Sequence, residues 1–209
     1  MIGILGAVAA AVTSAPLPQY RVNDAFVFSN GRVERVREIR GDLVTWSGLT
    51  GDTYQRRQNI VVPVITWRSG RGSGTRTIRG NPDLLWPVVP AVQSSVRFRV
   101  VTQTRINSMA KTRRNVSLWS CRTKKAKRTT VKAGSFMTIP FLCDRYSATT
   151  MRLLERLEWE YAPDIGHYLK RSSINYLRGT KRSVELVAML SGPSATPARL
   201  RALSQAARR

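Results

Sequence analysis

Between Tyr20 and Leu190 the chain alternates apolar and polar residues in short runs broken by turn-forming pairs, a pattern of half-buried strands. Residues 25–28 predict a short aromatic strand, and Asn30-Gly31 is a strong two-residue hairpin turn. Residues 32–39 return, Arg40-Gly41-Asp42 turns again, and residues 43–46 make a third strand before a loop at 47–52. The β-branched run at 60–67 is interrupted by Pro63, which suits an edge or bulged strand. Gly70 to Gly74 forms the next turn, followed by a strand at 75–78. Short strands at this spacing predict a small half-open barrel of the SH3 type.

Residues 81–90, NPDLLWPVVP, carry three prolines and break the alternation, so a module boundary is placed there. Beyond it, Val96, Phe98 and Val100 point one way and Arg97 and Arg99 the other, a strand with a basic outer face. Strands at 116–121 and 136–143 follow, with Gly134 making the bend before the second. Residues 151–165 fit two templates. Leu153, Leu154, Leu157 and Tyr161 lie on a helix stripe, whereas Leu157, Trp159 and Tyr161 alternate with Glu158 and Glu160. The aromatic alternation and the Pro-Asp-x-Gly turn favour a strand hairpin that returns through 166–172. Residues 183–190 form a last strand, and 192–209 are a Pro/Ala/Ser/Arg tail. Leu200 and Leu203 would allow that tail a short helix on a partner, but alone it is expected to be mobile. The predicted fold is mainly β: an SH3-like module over 19–90, a curved antiparallel sheet over 91–191, and a flexible basic C-terminal tail.

Charge changes this picture more than composition does. An apolar fraction of 42% and an aromatic fraction of 8% in 209 residues are ordinary for a folded chain. Thirty-five Lys and Arg against twelve Asp and Glu give a net charge of +23, and 28 of the basic residues are Arg. Arg suits bidentate contact with phosphate or carboxylate, although Arg-heavy usage also follows from a GC-rich genome. Residues 1–97 carry only +6, while 98–209 carry +17, and no acidic residue lies between Asp83 and Asp144. Arg105, Lys111, Arg113, Arg114, Arg122, Lys124, Lys125, Lys127, Arg128 and Lys132 form the densest run. If the strands at 116–121 and 136–143 are neighbours, these ten make one basic edge, suited to anionic lipid, envelope polymer, acidic protein or nucleic acid. The alternative is a solvated loop whose charges only keep the chain soluble.

The N-terminus bears on the compartment. Met1 to Val12 is unbroken apolar sequence, too short to span a bilayer as a helix. Its length and small-residue exit match the apolar part of a secretory signal, with Val12/Ser14 or Thr13/Ala15 as possible cleavage pairs, though no Lys or Arg precedes it. No Cys follows it, which argues against lipid attachment at that point. Cys121 and Cys143, the only cysteines, each end a strand-like run. In an exported protein they are expected to pair, closing a loop of about twenty residues and adding roughly 3 kcal/mol. Two buried free thiols in a cytosolic core are the alternative.

Two motifs in the second half, VKAGSFMTIPFLCDRY from Val131 and WEYAPDIGHYLKR from Trp159, resemble uncharacterised bacterial envelope proteins of the DUF3108-like kind. The first half, with YRVNDAFVFSNGRVERV and NPDLLWPV, is similar to an SH3-like module preceding such domains in some alphaproteobacterial proteins. Together the resemblance covers about residues 20–190. It implies an envelope location and a β-rich fold, and supplies no catalytic residues.

Candidates for chemistry are few. His167 is the sole histidine, so neither a nucleophile–imidazole pair nor a Cys/His zinc site is in prospect, and a structural role is expected. Glu158 and Glu160 share a strand face but lie among Arg152, Arg156, Lys170 and Arg171, where surface ion pairs are expected. Gly70-Arg71-Gly72-Ser73-Gly74 lacks the Lys-Ser/Thr of a phosphate-binding loop and reads as a hairpin tip or anion nest. Trp46, Trp67, Trp86, Trp119 and Trp159 read as core anchors. The expectation is therefore a non-enzymatic periplasmic or envelope protein without cofactor or metal, an accessory subunit docking through its basic face. A cytosolic nucleic-acid- or ribosome-associated protein is the alternative. A carrier with an apolar cavity lined by Phe98, Trp119, Phe136 and Trp159 is a third reading.

Overall fold

The computed structural model describes residues 14–70, 72–89, 92–106 and 112–209. The signal-like run up to Thr13 therefore lies outside the described residues. Thirteen strands follow in the order β1 (Ala25–Phe28), β2 (Val33–Arg40), β3 (Leu43–Ser47), β4 (Thr53–Arg57), β5 (Thr66–Ser69), β6 (Gly72–Arg79) and β7 (Ser95–Ile106). Then come β8 (Thr112–Thr123), β9 (Lys127–Val131), β10 (Gly134–Ser147), β11 (Leu153–Ala162), β12 (His167–Asn175) and β13 (Thr180–Leu190), before helix α1 (Pro197–Ala206). Every pairing between them is antiparallel. Each strand from β1 to β8 pairs with the next, β8 pairs with β10, β10 with β11, and β11 to β13 continue until β13 returns to β1. Twelve strands thus close a barrel, and β9 adds a short hairpin to the first part of β10.

This overturns the two-module reading. β6 and β7, placed in different modules by the proline-rich break, pair over eight residues from Gly72↔Ile106 to Arg79↔Arg99. The first and last strands are neighbours, with Ala25 opposite Leu190. Alternation in a sequence states which face a strand buries, but not which strand lies beside it. Closure of the sheet removes the free edges that a half-open barrel would leave.

The barrel has two unlike ends. At one end, hairpin turns at 29–32, 48–52, 148–152 and 176–179 join the strands. At the other, longer connections fold back inside. The apolar run at 60–62 is not a strand: Ile60, Val61 and Val62 are all but fully buried as a plug inside the sheet. Asn59 fixes that plug by donating from Nδ2 to Pro82 O at 3.1 Å and Asp83 Oδ1 at 2.8 Å. The proline-rich break is a second plug. It contains a single 3-10 turn at Pro82–Leu85, buries Leu85 and Val88, and stacks Trp86 on Phe141 at 5.2 Å. Ala15 exchanges backbone hydrogen bonds with Val88 at 2.8 Å in each direction.

The interior carries the aromatic side chains. Phe26, Phe28, Trp46, Phe98, Trp119, Phe141, Trp159, Tyr161 and Tyr168 are buried there, and Arg97 and Arg99 stay exposed on the outer face. A barrel facing lipid would show the reverse, an apolar outside and a polar lumen. The predicted tail is neither mobile nor dependent on a partner. Thr196 caps α1 by accepting from Arg199 N at 3.3 Å, and Leu200 and Ala207 pack on Ala25, Val27, Val33 and Leu190, the outward residues around the β13–β1 seam.

Candidate anion-binding surfaces

The ten basic candidates do not form one edge. Arg105, Arg113 and Arg114 lie where β7 and β8 meet at the hairpin end, with Thr104 opposite Arg113 and Gln103 opposite Arg114. Lys111 lies outside the described residues. Arg122, Lys124, Lys125, Lys127, Arg128 and Lys132 sit at the far end of β8 and around β9. Nine residues of extended strand separate Arg113 from Arg122, about 30 Å. Part of the second group is also neutralised. Arg122 lies 3.6 Å from Asp144, while Lys124 pairs with Glu158 and Lys127 with Glu160, each at 2.8 Å. Glu158 and Glu160 are therefore ion-pair partners, and Thr129 also donates to Glu160 at 2.6 Å. Burial pushes the Glu160 carboxyl up, but the bonds from Lys127 and Thr129 outweigh it and hold it below its ordinary value.

A different basic surface emerges on the wall, with no long charge run in sequence to announce it. Arg79 of β6 stands directly opposite Arg99 of β7, Arg99 opposite Leu118 of β8, and Leu118 opposite Tyr146 of β10. Arg97 is on the same face as Arg99, two residues along. Among the described residues no carboxylate lies within ion-pair distance of Arg79, Arg97 or Arg99. Like charges placed directly across a strand pair are destabilising. The three arginines border an outward cleft of about 460 Å³ whose other side is Leu118, Tyr146 and the exposed Met151. The alternation at 96–100 located Arg97 and Arg99 on the outer face; only cross-strand register brings in Arg79, Leu118 and Tyr146.

His167 is buried in the barrel beside a carboxylate that sequence reasoning did not single out. The Tyr20 hydroxyl lies 2.9 Å from its Nδ1, its ring stacks on Phe26 at 3.9 Å, and its Nε2 lies 3.3 Å from Glu34 Oε2. Glu34 is wholly buried and is also paired with Arg32 and, at 3.3 Å, with Arg56. Burial pushes the Glu34 carboxyl up, but Arg32 and Arg56, with His167, outweigh it and hold it well below the ordinary carboxylate range. Burial lowers the His167 imidazole below its ordinary value, against the pull of Glu34. With Tyr20 donating to Nδ1, the neutral ring carries its proton on Nε2, facing the carboxylate. At this distance the ring joins Arg32 and Arg56 around the buried carboxylate, without the alignment of a hydrogen bond.

Cys121 and Cys143 face each other across β8 and β10 and are joined by a disulfide. No group of three His, Cys, Asp or Glu side chains among the described residues could hold a metal ion. Of the aromatic residues proposed to line a carrier cavity, Phe98, Trp119 and Trp159 are buried, with Phe98 stacked on Trp119 at 5.8 Å, and Phe136 is half-buried against them.

The site and barrel define a class by architecture, a closed twelve-strand antiparallel barrel with a packed interior. The same fold is found in the hypothetical lipoprotein YmcC of Escherichia coli K12, at a TM-score of 0.51 and 6% identity over 79% of this chain and 82% of that one. An exported-type protein of Bacteroides fragilis described as YmcC-like in fold aligns with a TM-score of 0.40 and 9% identity, covering 86% of this chain and all of the other. No protein-family model and no curated protein matches the sequence. The likeness replaces the resemblance read from sequence. Among the described residues there is no SH3-like module: Gly134–Phe136 are the first residues of β10, and the APDIG motif carries the turn that joins β11 to β12 in one barrel.

Proposed function

We propose that this chain is a non-enzymatic cell-envelope protein that docks on an anionic phospholipid surface through the outer patch of Arg79, Arg97 and Arg99. The observation that carries the reading is the uncompensated Arg79–Arg99 cross-strand pair beside an apolar strip. Three guanidinium groups match headgroup phosphates, and Leu118, Tyr146 and Met151 match the acyl boundary just beneath them. The envelope location is supported by the disulfide, a bond typical of oxidising compartments, and by a fold shared with a protein described as a lipoprotein.

Flotation with phosphatidylglycerol vesicles tests the docking. Binding should weaken as salt rises, and the Arg79→Gln/Arg97→Gln/Arg99→Gln variant should lose on the order of 100-fold in affinity at about 1 kcal/mol per basic residue. Unchanged binding by that variant would overturn the proposal, as would nuclease-sensitive co-purification with no vesicle binding. A compartment reporter fused after Arg209 and active only in the cytosol would remove the envelope assignment.

A further inference from the structure

The barrel interior is apolar and plugged at one end, but arginine-rich at the other. Inward positions include Arg56 of β4 opposite Val44, Arg76 of β6 opposite Thr102, Arg145 of β10 opposite Trp119 and Arg171 of β12 opposite Trp159. Arg32 enters from the turn before β2. Only Glu34 and Glu155 oppose these five among the described inward residues there. Glu34 is shared by Arg32 and Arg56, and Glu155 pairs with Arg145 at 3.2 Å.

Arg76 and Arg171 are left with no carboxylate. Arg76 Nη1 donates to Val64 O at 2.7 Å, and its guanidinium lies over the Trp67 ring at 4.4 Å. Arg171 lies over Trp159 at 5.8 Å, and its Nε is buried without a hydrogen-bond partner. Arg56 Nε and the Tyr168 hydroxyl are buried and equally unpartnered. Orphaned buried donors of this kind are uncommon, and cations are rarely buried without a counter-charge. Burial, with Arg145 nearby, lowers Arg76 to about 10, and burial likewise lowers Arg171.

Of these residues Arg32 and Arg76 reach an opening, while Arg56, Arg171 and Tyr168 lie behind it. A cleft of about 330 Å³ at the hairpin end is lined by Arg32, Tyr54, Trp67, Arg68 and Arg76, with Asp52 at its rim. Arg56, wholly inside the sheet, lies against the inner side of Tyr54, 5.6 Å from its ring. We propose that this mouth is a binding site for a small oxyanion, a phosphate or phosphate monoester, held by Arg32, Arg68 and Arg76 with its substituent on Trp67. Each guanidinium has N–H groups to spare beyond its internal contacts, and planar forks suit tetrahedral oxyanions. The low-dielectric wall strengthens attraction inside a cleft whose charges are all of one sign but for Asp52. The site opens at the barrel mouth and shares no lining residue with the outer arginine patch.

Calorimetric titration of the full chain with inorganic phosphate and with glycerol 3-phosphate tests it, at constant ionic strength set with chloride. Saturable binding of either is expected, and tighter binding of the ester would mark a headgroup or sugar phosphate as the source. Arg76→Gln should weaken binding about tenfold or more, the loss of one charged hydrogen bond. Because Arg76 is largely buried and its loss can disturb folding, Arg68→Gln on the exposed rim serves as a second variant, expected to weaken binding several-fold. Arg199→Gln, exposed on α1 and outside both proposed sites, should leave it unchanged. No saturable heat with either anion would overturn the proposal, as would Arg68→Gln binding as well as the parent chain, or Arg199→Gln weakening binding as much as Arg68→Gln does.

Discussion

Glu34 Oε2 and His167 Nε2 stand 3.3 Å apart in an interior from which both side chains are fully shielded from water. The carboxylate is also the counter-charge for Arg32 and Arg56, so it ties β2, β4 and β12 together. Glu34→Gln would strand Arg56, 6% exposed, without a carboxylate partner. Removing one member of a buried ion pair typically costs about 3–5 kcal/mol. Urea unfolding should show that loss as a lower midpoint at unchanged slope; a loss under about 1 kcal/mol would mean that water reaches the cluster.

The same cluster sets a pH dependence. His167 has an ordinary value of 6.5 that folding lowers, so below about pH 6.5 the unfolded chain takes up a proton that the folded one does not. Stability is therefore full above that pH and declines as pH falls toward the depressed folded value. Glu34 and Glu160, both held below their ordinary 4.5, extend the decline into the acid range in the same sense. Thermal melts from pH 8 to 4 should fall monotonically. A melting temperature that rises on acidification would contradict this arrangement.

The disulfide should contribute through the unfolded chain. Cys121 and Cys143 are 22 residues apart, and closing a loop of that length stabilises by about 3 kcal/mol in the chain-entropy picture. Denaturant unfolding with and without reductant measures the difference directly. The Cys121→Ala/Cys143→Ala variant should match the reduced parent within about 1 kcal/mol.

Helix α1 is held by Leu200 and by Ser204, whose hydroxyl donates to Gly31 O. Leu200 is 1% exposed between the helix and the outward residues of the β13–β1 seam. Leu200→Ala should destabilise by about 2–4 kcal/mol or release the helix, and amide exchange separates the two outcomes. Protection lost only from residues 197–206 marks release; protection lost also from β1 and β13 marks a helix needed for closure.

Much of the strand map was legible in sequence. The pattern located β1, β2, β3, β7, β8, β10 and the β11–β12 hairpin to within a few residues, because each alternates strongly and ends in turn chemistry. It missed β4, TYQRR, and β9, KRTTV, whose side chains show little apolar alternation. It misread Ile60 to Val62 because an apolar run buried on all sides looks the same in a plug as in a strand. Three prolines between 82 and 90 suggested a module boundary, whereas the connection that holds Pro82 folds into the core. Linear charge density led to residues 105–132, whereas the unpaired arginines are brought together by register between strands far apart in sequence. The interior arginines Arg56, Arg76 and Arg171 were hidden for the same reason: which face they occupy depends on partners that no local window contains.

Barrel closure has a consequence for the order of events during synthesis. β1, begun at Ala25, finds its second partner only when β13, ending at Leu190, has been made, and the helix covering that seam comes later still. Until then the leading strand presents an unpaired rim, and the sheet cannot seal around its plugs. A nascent chain of this kind stays unsealed until residues 180–190 emerge, a schedule compatible with threading through a translocation pore before folding. Truncation anywhere before β13 should therefore yield not a smaller barrel but a sticky open sheet.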